Sequence, residues 1–138
     1  MGTEAALYRV HNADVVAFLD FDQELLAPRY RAAEEAMALL VRAARVVGGR
    51  EGGGRLLVQT RLPHHEVLQG ALLAEPTRVS DAERARRESL GFPPAKVMAL
   101  ISGASAEAWV DAFVAPIGVD VLGPADGRWI VRASDHDT

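Results

Sequence analysis

Two carboxylates, Asp20 and Asp22, stand two residues apart at the end of the apolar run Asp14-Val-Val-Ala-Phe-Leu-Asp20. Residues two apart on a strand face the same side. The pair could therefore converge on Mg²⁺, as the strand-end carboxylate of a phosphate-loop NTPase does. That chemistry also needs a Gly-x-x-x-x-Gly-Lys-Ser/Thr loop to cradle the phosphates. Lys96 is the only lysine and sits in Pro-Ala-Lys-Val, so the partner loop is missing. The two acids are then expected to solvate a strand end. The glycines from Gly48 to Gly54 follow a predicted helix and precede a predicted strand. Phosphate meets a helix N-terminus in the opposite order, strand–loop–helix, and the stretch reads as a flexible connector.

His64, His65 and Glu66 form one potential ligand triplet, and Asp135, His136 and Asp137 another. Neighbours on a helix point about 100° apart, so neither triplet chelates a metal well alone. They are expected to be a solvated helix start and a frayed terminus, and no metal site is assigned. No Gly-x-Ser-x-Gly elbow occurs and cysteine is absent, which excludes thiolate ligands, disulfides and a cysteine nucleophile. The remaining candidates are cations. Residues 29–55 carry six arginines against three acids, and Arg84, Arg86 and Arg87 form a second cluster. Either cluster could meet phosphate; exposed helical arginines also serve as solvated or ion-paired groups.

Composition leaves the partner open. The net charge of −4 argues against a strong, indiscriminate nucleic-acid binder. No apolar run approaches the roughly 20 residues of a membrane span and no basic-then-apolar leader opens the chain. A cytoplasmic protein without membrane contact is expected.

The elements that would position these residues follow from periodicity. The run at 14–20 reads as a strand buried on both faces. Tyr30, Ala33, Met37, Leu40, Ala44 and Val47 recur every three or four residues, the apolar stripe of a helix. Gly48 and Gly49 end it, and Arg55 to Thr60 is a second strand, giving the strand–helix–strand order of a parallel α/β sheet. A short helix spans about 64–74. Ser80 and Glu83 form a capping box opening a helix from Asp81 to about Leu90, stopped by Gly91-Phe-Pro-Pro94. Lys96–Ser102 reads as a strand, Ala104–Val114 as a helix, Val119–Leu122 as a strand, 123–127 as a turn and Arg128–Ala133 as a final strand. The composition shifts near Pro76, which predicts a boundary between residues 1–76 and 77–138.

Together these residues resemble the end of the primosomal replication-restart helicase family (primosomal protein N′, PriA-like). The resemblance rests on Gly2-Thr3, Leu19-Asp-Phe-Asp22, Arg31-Ala-Ala-Glu34, Leu56-Leu-Val-Gln-Thr60, Pro63-His-His-Glu66 and Leu68-Gln69. It continues through Glu83-Arg-Ala-Arg-Arg87, Leu90-Gly-Phe-Pro-Pro94 and Val121-Leu-Gly-Pro124. It implies that residues 1–76 are the end of the second RecA-like lobe. Residues 77–138 would start a small α+β module resembling ribosomal S10, truncated at Thr138. The phosphate-loop lobe, the DNA-binding domain and the zinc element would lie upstream, with ATP, Mg²⁺ and zinc belonging to them and no cofactor to this chain.

Helicase-active members carry Gln-x-x-Gly-Arg-x-Gly-Arg where this sequence has Arg42-Ala-Ala-Arg45-Val46-Val-Gly48-Gly49. Val46 and Gly49 replace both nucleotide-contacting arginines, and the family's Lys-Gly after Gly2-Thr3 is missing. Degraded members of actinobacterial type look similar. The implied role is a DNA-binding accessory without helicase or ATPase activity, meeting single-stranded or forked DNA, single-strand-binding protein and primosome components. Arg84, Arg86 and Arg87 would contact phosphate, with Arg128, Trp129 and Arg132 as a second surface. Trp129 reads equally as core or as a base-stacking platform. The rival is a structural or protein-interaction fragment without DNA affinity.

Overall fold

The computed structural model describes residues 4–49 and 52–134. The chain divides into two compact units, Met1–Glu83 and Arg84–Thr138, and the division falls inside a helix.

The first unit opens with a 3-10 helix, Glu4–Tyr8, followed by strand β1 (Val15–Phe18), the one-turn helix α1 (Asp22–Leu25) and the long helix α2 (Ala32–Val46). Strand β2 (Arg55–Val58) pairs parallel with β1, Val15 opposite Arg55 and Phe18 opposite Val58. The predicted parallel strand–helix–strand unit is therefore present. Its core joins Phe21, Leu25, Ala33, Ala36, Met37, Leu40, Val67, Leu68 and Val79, with Phe18, Leu56 and Val58 packed against it.

Two expectations need correction here. The strand at 14–20 is not buried on both faces, because Val15 is 51% exposed and burial alternates along β1 and β2. A two-stranded sheet has one face against the core, and a period of two leaves every second side chain on the other. The helical stripe also differs at its ends. Tyr30 precedes α2 and is exposed, and Ala36, Ala43 and Val46 are buried alongside Ala33, Met37 and Leu40. Helix α2 ends as expected: Gly48 and Gly49 have φ of +78° and +62°, and the Gly49 amide donates to the Ala44 carbonyl at 2.8 Å.

Helix α3 (Glu66–Leu73) is followed by α4 (Thr77–Leu90), which carries the division between units. The predicted capping box is overturned. Helix α4 starts at Thr77, directly after Pro76, so Ser80 already lies within its first turn. Proline is well suited to a helix start because its fixed φ suits the first turn and its missing N–H would have no partner there.

The second unit holds the end of α4, strand β3 (Val97–Ser102), helix α5 (Ala106–Ala112), strand β4 (Val119–Ala125) and strand β5 (Arg128–Ala133). Its antiparallel sheet has the order β3-β5-β4. Helix α4 stops at Gly91, φ +63°, where the Phe92 amide donates to the Arg87 carbonyl at 2.7 Å. Strand β4 runs through Gly123-Pro124 with a register shift between Leu122 and Ala125, longer than the expected strand. A Cβ at Gly123 would stand 2.8 Å from the Arg128 carbonyl oxygen, and φ there is +129°. Glycine is required at this crossing by both space and backbone.

Candidate nucleic-acid interface

In the second unit, Arg84 and Arg86 lie exposed on α4, whereas Arg87 is half-buried with its Nε shielded from solvent. Arg84 and Arg87 are one turn apart and share a face, and Arg86 projects about 200° from Arg84 around the helix. The three therefore do not form one stripe. On β5, Arg128, Ile130 and Arg132 share a sheet face and Trp129 stands on the other.

Arg132 is engaged within the unit: its guanidinium donates to the Leu90 carbonyl at 3.3 Å and to Asp120 at 2.9 Å. It thereby ties the end of α4 to the sheet. Arg128 is exposed beside the β4–β5 turn. Trp129 is half-buried opposite Ile101, with its ring edge against Gly123. Exposed cations suited to phosphate in this unit are thus Arg84, Arg86 and Arg128.

In the first unit, the two positions that the resemblance sets against helicase arginines lie in different environments. Val46 is 7% exposed and packs inside, while Gly49 lies at the surface in the helix-ending turn. Arg42 and Arg45 are exposed on α2, Arg42 one turn before Val46. The Arg42 guanidinium sits over the Tyr8 ring, 3.9 Å from its centroid, in a cation–π contact. Gly2 and Thr3 lie outside the described residues, as do Asp135, His136 and Asp137.

The two strand-end acids do not converge. Strand β1 ends at Phe18, so the alternation that would align Asp20 with Asp22 is already broken. Asp20 is exposed and accepts a hydrogen bond from Gln23 at 2.8 Å. Asp22 begins α1, is buried, and accepts from the Thr60 hydroxyl, the Arg61 amide and the Arg61 guanidinium. It is not a solvated strand end but a clamp joining the segment after β1 to the segment after β2. The signal available in the sequence was the pairing of Leu19-Asp-Phe-Asp22 with Gln59-Thr60, two short polar tails after parallel strands.

The Thr60 hydroxyl, with the Arg61 amide and guanidinium, holds the Asp22 carboxyl below the usual carboxylate range. A carboxyl lowered by folding stabilises the native state above its unfolded value, about 3.9. That contribution is lost as pH falls through the lowered folded value. Asp22→Asn is expected to lower the melting temperature at pH 7. The difference from the native chain should shrink below about pH 3.9, as both states of the native chain become protonated. Melting curves of both proteins across pH 2–7, a range set about that pKa, check this; a pH-independent difference would refute the clamp's ionic part.

His65 caps α3, its Nδ1 accepting from the Val67 amide at 3.3 Å. No group of three or more His, Cys, Asp or Glu able to hold a metal occurs among the described residues. Among the same residues, no helix is long and apolar enough to cross a membrane.

No protein-family model matches the chain. Over 116 residues it is 33% identical to the replication restart protein PriA of Treponema pallidum (strain Nichols), a match covering 75% of this chain. The chain spans 18% of that protein's length. The similarity supports a PriA-like relationship at the level of the family.

Proposed function

We propose that this chain is a DNA-binding accessory part of a replication-restart protein and does not hydrolyse ATP on its own. The single observation that carries the reading is the 33% identity to the Treponema PriA over most of the chain. Under it, residues 1–76 are the end of a second RecA-like lobe and residues 77–138 begin an S10-like α+β module. The parallel β1–α2–β2 unit and the antiparallel β3-β5-β4 sheet are compatible with those assignments. The degraded arginine motif, with Val46 and Gly49 in place of arginines, is what supports grouping the chain with non-helicase members of actinobacterial type. Its partners are single-stranded or forked DNA, primosome components and single-strand-binding protein, in the cytoplasm. ATP, Mg²⁺ and zinc belong to other parts of active members.

Binding is expected to be weak and salt-sensitive, because few cations are available and each phosphate contact releases counterions. Log affinity should fall with log salt by roughly 0.7 to 0.9 per contact. Arg84→Glu with Arg86→Glu should weaken binding to forked DNA, read by fluorescence anisotropy across a salt series. No binding at low salt would favour the rival, a protein-interaction fragment.

The absence of ATP turnover has a separate basis. An arginine finger contributes about 10³ to 10⁵ in rate where phosphates and Mg²⁺ are already held. This sequence has neither a phosphate loop nor arginines at positions 46 and 49. The purified chain is expected to show no DNA-stimulated ATPase activity, and Val46→Arg with Gly49→Arg should not create it. DNA-dependent phosphate release by the chain alone would overturn this part of the proposal.

A further inference from the structure

An open groove of about 720 Å³ runs between the 3-10 helix and α2 in the first unit. Its charges sort into two groups. At one end Arg29 bonds Glu24 at 2.6 Å and Glu35 at 3.2 Å, a closed ionic cluster. About two turns further along α2, roughly 10 Å by helical rise, lie Arg42 and Arg45, with Arg9 across the groove. None of these three cations pairs with a carboxylate among the described residues. Among the described residues Glu4 is the only acid lining this end, so three cations against one acid give these residues a summed charge of +2. Tyr8 stands among them, 66% exposed, with one ring face against Arg42.

We infer that this groove binds single-stranded nucleic acid, with Arg9, Arg42 and Arg45 on the phosphates and Tyr8 as a stacking platform for a base. The inference rests on the proposal that the chain binds nucleic acid, and adds a surface in the first unit to the arginines of α4 and β5. A basic groove interleaved with an exposed aromatic is the chemistry that holds single strands regardless of sequence, since backbone charge and base faces are common to all of them. An exposed phenol already fixed by a guanidinium loses little rotamer freedom when a base stacks on its open face. A free nucleoside triphosphate fits less well. Helix α2 presents its C-terminal half to this end of the groove, and the negative pole of the helix dipole opposes a concentrated multivalent anion. Single phosphate charges spaced along a strand, reached by long arginines, avoid that pole.

The test is titration of the full chain against a labelled 12-nucleotide oligothymidine at several salt concentrations, with thermal melts of every variant. Arg42→Glu with Arg45→Glu should weaken binding at least about tenfold at low salt and reduce the salt slope by about 1.4, twice the single-strand value of 0.7 per contact. Tyr8→Ala should weaken it about fivefold or more, and Tyr8→Phe should keep most of the affinity, since stacking needs the ring and not the hydroxyl. If the double charge reversal unfolds the chain, Arg42→Gln with Arg45→Gln gives the same reading through neutralisation. Native affinity in these folded variants, with affinity lost in Arg84→Glu/Arg86→Glu, overturns the groove and leaves the proposed function standing. Absence of oligonucleotide binding by the native chain at low salt overturns both. Displacement of the oligonucleotide by equimolar ATP would assign the groove to a nucleotide and also overturn the inference.

Discussion

Val46→Arg is expected to destabilise the first unit by about 3 kcal/mol, whereas Gly49→Arg, three residues on, should cost only about 1 kcal/mol. The resemblance sets both positions against helicase arginines, but they occupy different environments. Val46 is buried as the last residue of α2 and lines a cavity together with Leu7, Val10, Val16 and Phe18. A guanidinium there enters a cavity of about 450 Å³ in which Glu4 is the only charged residue among the described lining, and gives up hydration against that apolar wall. Gly49 has open space where a Cβ would stand, and the cost of a side chain there is the left-handed backbone at φ +62°. Urea unfolding of the two single variants measures the contrast. Equal, small shifts of the midpoint would show that position 46 tolerates charge and that its valine is no packing requirement. The expected result means that Val46 is a packing requirement of this unit, so an arginine at position 46 is not accommodated without loss of stability.

Much of this arrangement was legible in the sequence, and its failures have physical causes. The β1–α2–β2 order was readable because α2 combines an apolar stripe with glycines after its last turn, two independent signals for one helix. Strand β5 was placed to the residue, since the turn residues Asp126-Gly127 precede an uninterrupted run from Arg128. The stripe failed at Tyr30, where the three–four spacing continues although the chain between Ala27 and Arg31 is not helical. Periodicity extends past a helix end whenever an apolar residue happens to fall in phase. The capping box failed for a related reason: Ser80 and Glu83 have the right spacing, but Pro76 offers an earlier start, and Glu83 is buried. The role of Asp22 was hidden because its partners, Thr60 and Arg61, are 38 and 39 residues away. The groove was hidden too. Arg42 and Arg45 stand in the sequence as degenerate motif positions within the arginine-rich stretch 29–55, but only the fold brings Tyr8 and Arg9 to the same groove.

The loop between α2 and β2 supplies the second large effect, at Gly54. An added Cβ at this position would stand 2.2 Å from the Val47 carbonyl oxygen and 2.7 Å from the Val47 Cβ. Real Cβ atoms do not approach backbone so closely, and neither contact is the yielding tip of a long side chain. Gly54→Ala must therefore move β2 away from the end of α2. Strand β2 begins at the next residue, where the Arg55 amide donates to the Asp14 carbonyl at 2.8 Å and starts the parallel pairing. The displacement would be felt along the ladder and at the Asp22–Thr60 clamp beyond it. Overpacking of this kind costs about 1–3 kcal/mol, and clashes with both a carbonyl oxygen and a Cβ put Gly54→Ala at about 3 kcal/mol. Gly53→Ala is the matched control. It has φ +70° and nothing within 4 Å of an added Cβ, so only backbone conformation opposes it; about 1 kcal/mol is expected. Denaturant midpoints of the two alanine variants decide between two readings of the glycine run. A large loss at 54 and a small one at 53 makes these glycines a packing device that seats β2 against α2. Equal losses would mean that the run serves only to let the chain turn.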